Sequence, residues 1–206
     1  MSASPVSHQA EGRPPEADEQ ALLQRAHAGD GAAFDALVLR HQQQAFAVAL
    51  RMLGDYHEAN DVTQDAFVRA FRAIGTFRGD AKFSTWLLTI VSNLCRNRRR
   101  WWARHRHYCA VSLDDPSETD EGSVAQEIAD PAPGPSAAAM SAEVQRQIAA
   151  ALDGLDEASR AVVVLRDVQG LPYEDIAQIL RCRVGTVKSR LNRARLRLRA
   201  LLDGTL

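Results

Sequence analysis

Apolar residues recur at helical spacing along most of the chain, and the interruptions fall at residues that start or stop helices. The stretch from Glu16 to His27 carries Ala21, Leu22, Leu23 and Ala26 on one side and stops at Gly29. Asp30 then caps a longer helix in which Phe34, Leu37, Val38, His41, Ala45, Val48, Ala49 and Met52 trace one stripe. His41 lies inside that stripe with no nucleophile or carboxylate beside it, so packing is expected of it rather than catalysis. Gly54 ends this helix and Asp55 opens a third, with Ala59, Val62, Ala66, Phe67, Ala70 and Ile74 facing inward as far as Gly75. Asp61, Gln64, Asp65 and Arg69 are left on its polar side, which by pattern alone reads as a solvated face. Gly79 and Asp80 supply turn chemistry, and a fourth helix follows with Trp86, Leu87, Ile90, Val91 and Leu94 buried.

The pattern then lapses. Residues 110–139 are first acidic, then rich in Pro and Ala, and hold no sustained helical period, which predicts a flexible linker whose negative charge shuns DNA. Residues 1–15, rich in Ser, Pro and Ala, are likewise expected to be disordered. Helical spacing resumes near Ser141 with Val144, Ile148, Leu152 and Leu155 on one face. Asp156 caps the next helix, in which Ala161, Val162, Val164, Leu165 and Val168 are expected to be buried before Gly170.

The last stretch, from Leu171 to Leu202, predicts two helices joined by a tight turn, a helix-turn-helix. Pro172 suits the start of the first, Ile176, Ala177, Ile179 and Leu180 form its apolar face, and the small Ala177 permits a close crossing. In the second, Val184, Val187, Leu191, Ala194 and Leu198 make one stripe. The opposite face carries Thr186, Lys188, Ser189, Asn192, Arg193 and Arg197, side chains suited to phosphates and base edges in a major groove.

Charge sharpens this picture. The 206-residue chain has a formal net charge of only −1, but its cations crowd into Arg96–Arg106 and Arg181–Arg199, with the acidic spacer between them. Each block attracts a polyanion. Around the first, cations alternate with rings (Arg78, Lys82, Phe83, Trp86, Trp101, Trp102), a combination that suits single-stranded nucleic acid. No apolar run approaches the ~18 residues that span a bilayer, and the first residues lack a signal peptide's order, so a cytoplasmic protein is expected. The three cysteines, Cys95, Cys109 and Cys182, are widely spaced and predict no disulfide framework. His105, His107 and Cys109 lie close together but lack a second ligand pair at metal spacing. Paired catalytic carboxylates, an activated nucleophile and a phosphate-binding Gly loop are all missing, which argues against an enzyme.

In order, DVTQDAFVRAF, FRGDAKFSTWLLTIVSNLCRNRRR, the acidic linker and LDGLDEASRAVVVLRDVQGLPYEDIAQILRCRVGTVKSRLNRARLRL resemble the extracytoplasmic-function sigma factors of the sigma-70 type. The resemblance implies an all-α protein of two small helical domains, about 16–108 and 140–206, joined by a linker at 109–139. It implies a non-catalytic monomer that needs no cofactor, ATP or metal, binds core RNA polymerase through its beta-prime and beta subunits, and directs it to promoters. Asp61, Gln64 and Asp65 match the polymerase-docking face. Lys82, Phe83, Trp86, Asn93 and Asn97 match the part that captures an unstacked −10 base, with Arg98, Arg99 and Arg100 on the backbone. Arg183, Thr186, Lys188, Ser189, Asn192 and Arg193 match the −35 contacts. An anti-sigma partner is implied by kinship alone. Members often carry Gly and Pro where this chain has Arg181 and Arg183, and a non-Gly residue in a left-handed turn costs roughly 1 kcal/mol, so a strained or reshaped turn is expected. Two other readings predict different behaviour: a helix-turn-helix regulator without polymerase contact would bind duplex DNA alone as a homodimer, and a redox sensor on Cys95, His105, His107 and Cys109 would hold zinc.

Overall fold

The computed structural model describes residues 16–109 and 135–203, with side chains from 18 to 105 and from 144 to 202. The expectations for the N-terminal tail and for the acidic part of the linker lie outside those residues. Every regular element among the described residues is helical, as the pattern predicts, and no helix there is long and apolar enough to cross a membrane.

The chain divides into two units, 1–40 and 41–206. The first holds α1 (Glu16–His27) and the part of α2 (Gly31–Leu53) up to Arg40. Gly29 turns the chain at φ 89°, and the Asp30 carboxylate accepts the Ala33 N–H at 3.2 Å, capping α2. Arg25 lies 2.6 Å from the same carboxylate; its hydrogen bond, helped by the Ala33 N–H, holds Asp30 below the usual carboxylate range. Arg40 pairs with Glu19 at 3.4 Å, tying α2 back to α1.

The second unit contains the rest of α2, α3 (Tyr56–Ala73), a 3-10 turn (Ile74–Thr76), α4 (Phe83–Cys109), α5 (Pro135–Asp153), α6 (Glu157–Val163), α7 (Tyr173–Leu180) and α8 (Val184–Asp203). Asp55 caps α3 through the Glu58 N–H at 2.8 Å, and the inward residues of α3 are buried as its spacing predicts. Helix α4 packs against α3 on one side and α7 on another, while α8 packs against α5, α6 and α7. Asp156 caps α6 through the Ala158 and Ser159 N–H groups, both at 3.0 Å, and hydrogen bonding from Ser159 lowers its carboxyl pKa.

Four details differ from the sequence expectations. Helix α5 begins at Pro135, before the expected boundary near 140, because a proline at a first helical position followed by Ser and three alanines can start a helix without an apolar stripe. Val144 is exposed, lying a turn before the part of α5 that reaches the core. Val168 is also exposed, because α6 runs into a wide π-type turn (Val164–Val168) closed by Gln169 N–H to the Val164 carbonyl, and the extra residue turns position 168 outward. Phe83, expected to meet an unstacked base, is 1% exposed and lies among His41, Phe77 and Trp86 at ring-centroid separations of 5.2, 6.0 and 5.7 Å. In this conformation it is a packing residue, and the reason is its position at the first turn of α4, where the helix enters the core.

The helix-turn-helix forms as expected, and its turn is strained as expected. Arg181 sits in the left-handed region at φ 50°, ψ 51°. Its N–H reaches the Gln178 carbonyl and the Cys182 N–H reaches the Ala177 carbonyl at 3.0 Å, the hydrogen-bond pattern of a helix end that normally uses glycine. Replacing Arg181 with Gly is therefore expected to raise stability by about 1 kcal/mol, read as a higher urea midpoint with unchanged slope. Phe83→Ala is expected to cost about 3–5 kcal/mol in the same measurement; a cost below 1 kcal/mol would show that the ring is not part of the core.

Candidate nucleic-acid interface

Three polar surfaces emerge from the helices of the second unit. The first is on α3, where Asp61, Gln64 and Asp65 are all exposed. Their spacing continues to Val68 and Phe71, apolar residues that are nonetheless about half exposed at 49% and 53%. Pattern reading passed over these two because it sorted apolar residues inward. The available signal was that they fall on the helical stripe of Asp61, Gln64 and Asp65, away from the buried Val62, Ala66 and Ala70.

The second surface runs along α4. Lys82 is exposed just before the helix, and Trp86 is half-buried with its ring 5.1 Å from Phe77. Asn93 is half-buried and Asn97 exposed. The three arginines that follow are engaged: Arg98 pairs with Glu58 of α3 at 2.8 Å, Arg99 donates to the Met52 carbonyl at 3.2 Å, and Arg100 stands 3.8 Å from Glu157. The row is thus cationic, as its sequence implies, but each arginine already has a partner within the chain. Further along α4, His105 stacks on Trp101 at 4.0 Å and its Nδ1 donates to the Trp101 carbonyl, while the side chains of His107 and Cys109 lie outside the described residues. Cys95 is buried in the helix core, and desolvation pushes its thiol up to about 12, so it stays protonated and unreactive at neutral pH.

The third surface is α8. Arg183 is exposed and its carbonyl accepts the Thr186 and Val187 N–H groups, so the chain enters the helix immediately after it. Lys188, Ser189, Asn192 and Arg193 are exposed and Thr186 half-buried, while Val187, Leu191 and Ala194 face the core. Five of the six expected residues therefore share the side of α8 away from its core face, with Arg183 immediately before the helix begins. Ser189 donates to the Thr186 carbonyl at 3.1 Å and Arg193 to the Ser189 carbonyl at 3.4 Å, local bonds along the helix that leave both side chains exposed. Lys188 lies 5.6 Å from the centre of the Tyr173 ring, whose face also meets Arg166 at 4.7 Å, so α7 steadies this lysine by a cation–π contact. Arg195, by contrast, is held by Asp167 at 3.1 Å through Nε, a structural pairing that raises its pKa. Sequence pattern did not separate Arg195 from its neighbours, because its partner sits on another helix.

An exposed basic helix with small polar side chains, supported from behind by a second helix, can lie in a major groove and offer donors to base edges. Comparison with known proteins identifies the family. Residues 37–105 match the family model for sigma-70 region 2, and residues 145–198 match that for sigma-70 region 4. The RNA polymerase sigma-H factor of Pseudomonas aeruginosa is 38% identical over 177 residues, covering 86% of this chain and 90% of that protein. The ECF RNA polymerase sigma-E factor of Escherichia coli is 34% identical over the same shares. Among solved structures, CnrH in complex with the cytosolic domain of CnrY aligns with a TM-score of 0.65 and 30% identity, over 91% of this chain and 98% of that one. The sigma factor RpoE of Bartonella quintana, solved with the anti-sigma factor NepR, aligns at 0.62 and 25% identity, over 82% and 96%. With both regions present in order and relatives matched along nearly their full length, the chain belongs to the sigma-70 family of RNA polymerase sigma factors, in its extracytoplasmic-function group.

Proposed function

We propose that this protein is a promoter-recognition subunit of bacterial RNA polymerase, an initiation factor acting in the cytoplasm rather than an enzyme. The observation that carries the reading is the order of its two sigma-70 regions, the second of which ends in a basic, exposed α8. The module at about 16–108 binds polymerase and opens the −10 element, and the module at about 140–206 reads the −35 element.

Each surface has a physical task. Asp61, Gln64 and Asp65, with Val68 and Phe71 as apolar anchors, give α3 the mixed composition of a docking face, in which apolar burial supplies affinity and charge supplies register. Lys82, Trp86, Asn93, Asn97 and Arg98 to Arg100 present cations and a half-buried ring to a melted strand. Extracting a base costs a few kcal/mol of stacking, offset by contacts to the ring and to phosphate. Arg183, Thr186, Lys188, Ser189, Asn192 and Arg193 face duplex DNA, where arginine reads guanine and the hydroxyls and amide meet phosphates or neighbouring bases. The Bartonella quintana relative solved with the anti-sigma factor NepR supports an anti-sigma partner for this chain.

Run-off transcription with core polymerase tests the reading: protein and core together initiate from promoters that neither uses alone. A homodimer that binds duplex DNA tightly and does nothing to polymerase would replace it with a transcriptional regulator. Asp61→Ala with Gln64→Ala is expected to abolish co-elution with core polymerase while the circular dichroism spectrum stays helical. Arg193→Ala is expected to weaken duplex binding by ~1–3 kcal/mol at one base position; equal loss across all −35 sequences would instead make it a phosphate contact.

A further inference from the structure

The turn of the helix-turn-helix holds a residue that its backbone does not favour. Only three residues, Arg181, Cys182 and Arg183, join α7 to α8, and both ends of the link are fixed. On the α7 side the Arg181 and Cys182 N–H groups close on the Gln178 and Ala177 carbonyls at 3.2 and 3.0 Å. On the α8 side the Arg183 carbonyl receives the Thr186 and Val187 N–H groups at 2.9 and 3.1 Å. Position 181 is therefore left-handed whatever side chain it carries, and among the described residues every other positive φ belongs to glycine. Arginine has neither glycine's freedom there nor the short polar side chain by which Asn and Asp settle into such a turn. Backbone strain of this kind gathers where the side chain that causes it is used.

The use follows from how the cations around α8 are engaged. Arg195 is paired with Asp167, Arg166 donates to the Leu171 carbonyl at 2.8 Å and lies over the Tyr173 ring, and Lys188 shares that ring. Arg181 is exposed, and among the described residues its guanidinium meets no carboxylate, carbonyl or ring. The carboxylates of α7, Glu174 and Asp175, stand in its first turn, at the far end from Arg181, and no acidic residue lies between Ile176 and Leu202. When the second helix of such a motif lies in a major groove, the first crosses the sugar–phosphate backbone. The link between them then passes the edge of the groove. Three residues span at most ~10 Å against a groove ~12 Å wide, so a long cation on the link stays within reach of the bordering phosphates.

We propose that Arg181 grips a phosphate at the edge of the groove that receives the start of α8, and that the strained turn is retained for this contact. The proposal rests on the reading of α8 as the −35 helix and adds to it a residue that touches no base. Arg181 acts through its charge, so it tightens binding to every duplex alike and leaves discrimination to residues of α8. Stability and affinity are opposed at this one position: the substitution that relaxes the turn releases the DNA.

The test uses the full chain, free for stability and assembled with core polymerase for binding to a labelled promoter duplex between ~50 and ~200 mM salt. Arg181→Gly is expected to raise the urea midpoint of the free chain while weakening promoter binding several-fold, with the slope of log K against log salt shallower by about one. Arg181→Asn, uncharged but tolerant of a left-handed turn, is expected to flatten the slope equally, which separates loss of charge from glycine's added flexibility. Arg181→Lys is expected to keep the wild-type slope, since a point charge also holds phosphate. The ratio of affinities for matched and altered −35 sequences is expected to stay the same in all three. An unchanged slope in either uncharged variant overturns the proposal, as does a lysine variant as shallow as glycine, or a changed ratio, which would make Arg181 a base reader. A wild-type assembly indifferent to −35 sequence sinks the reading of α8 and this contact with it, whereas wild-type discrimination with an unaltered slope in the variants sinks the Arg181 contact alone.

Discussion

The structure depends on α4 being apolar on one side and cationic on the other. Its apolar side carries Phe83, Leu87, Leu88, Val91, Leu94 and Cys95 into the core, and this burial holds the helix rigid enough to present a row of arginines at fixed spacing. The requirement runs in both directions. A cationic row on an isolated helix would repel itself, so it must be supplied with counter-charges whenever no polyanion is present. Glu58 from α3 serves Arg98, and the α5–α6 corner serves Arg96, Arg99 and Arg100.

Much of this was legible in the sequence, and the legible part has a common character. The caps at Asp30, Asp55 and Asp156 act on N–H groups two or three residues away, and the stripes of α2, α3 and α8 follow from a single period. The left-handed geometry of Arg181 was readable as well, since turn geometry is set by a few adjacent residues. What local spacing could not carry was long-range partnership. Arg160 looks like any arginine in the first turn of a helix, yet its partner Met52 lies far away in sequence. Phe83 fell between two alphabets, because an aromatic beside lysine suits both a stacking platform and a core, and only the positions of His41, Phe77 and Trp86 decide. Val168 went astray because a period of 3.6 was extended through a segment that does not keep it.

The two kinds of arginine on α8 show how one composition serves two purposes. Arg195 is neutralised by Asp167 and secures the helix to the segment after α6, whereas Arg193 bonds only to its own helix backbone among the described contacts. Orientation is thereby supplied by one cation while the other stays exposed. Tyr173 extends the same division, since its ring gathers Arg166 and Lys188 and couples the supporting helix to the presenting one without consuming a carboxylate.

The wide turn at Val164–Val168 bears on how such a chain can vary. A helix that already accommodates one surplus residue can lose it and become regular, at little cost to its own hydrogen bonds. The loss would nevertheless swing everything downstream through roughly 100° about the helix axis, carrying the pairing of Asp167 with Arg195 out of alignment. The segment therefore tolerates a change of side chain more readily than a change of length, and the bulge is a ratchet tooth that keeps α8 indexed to the helices before it.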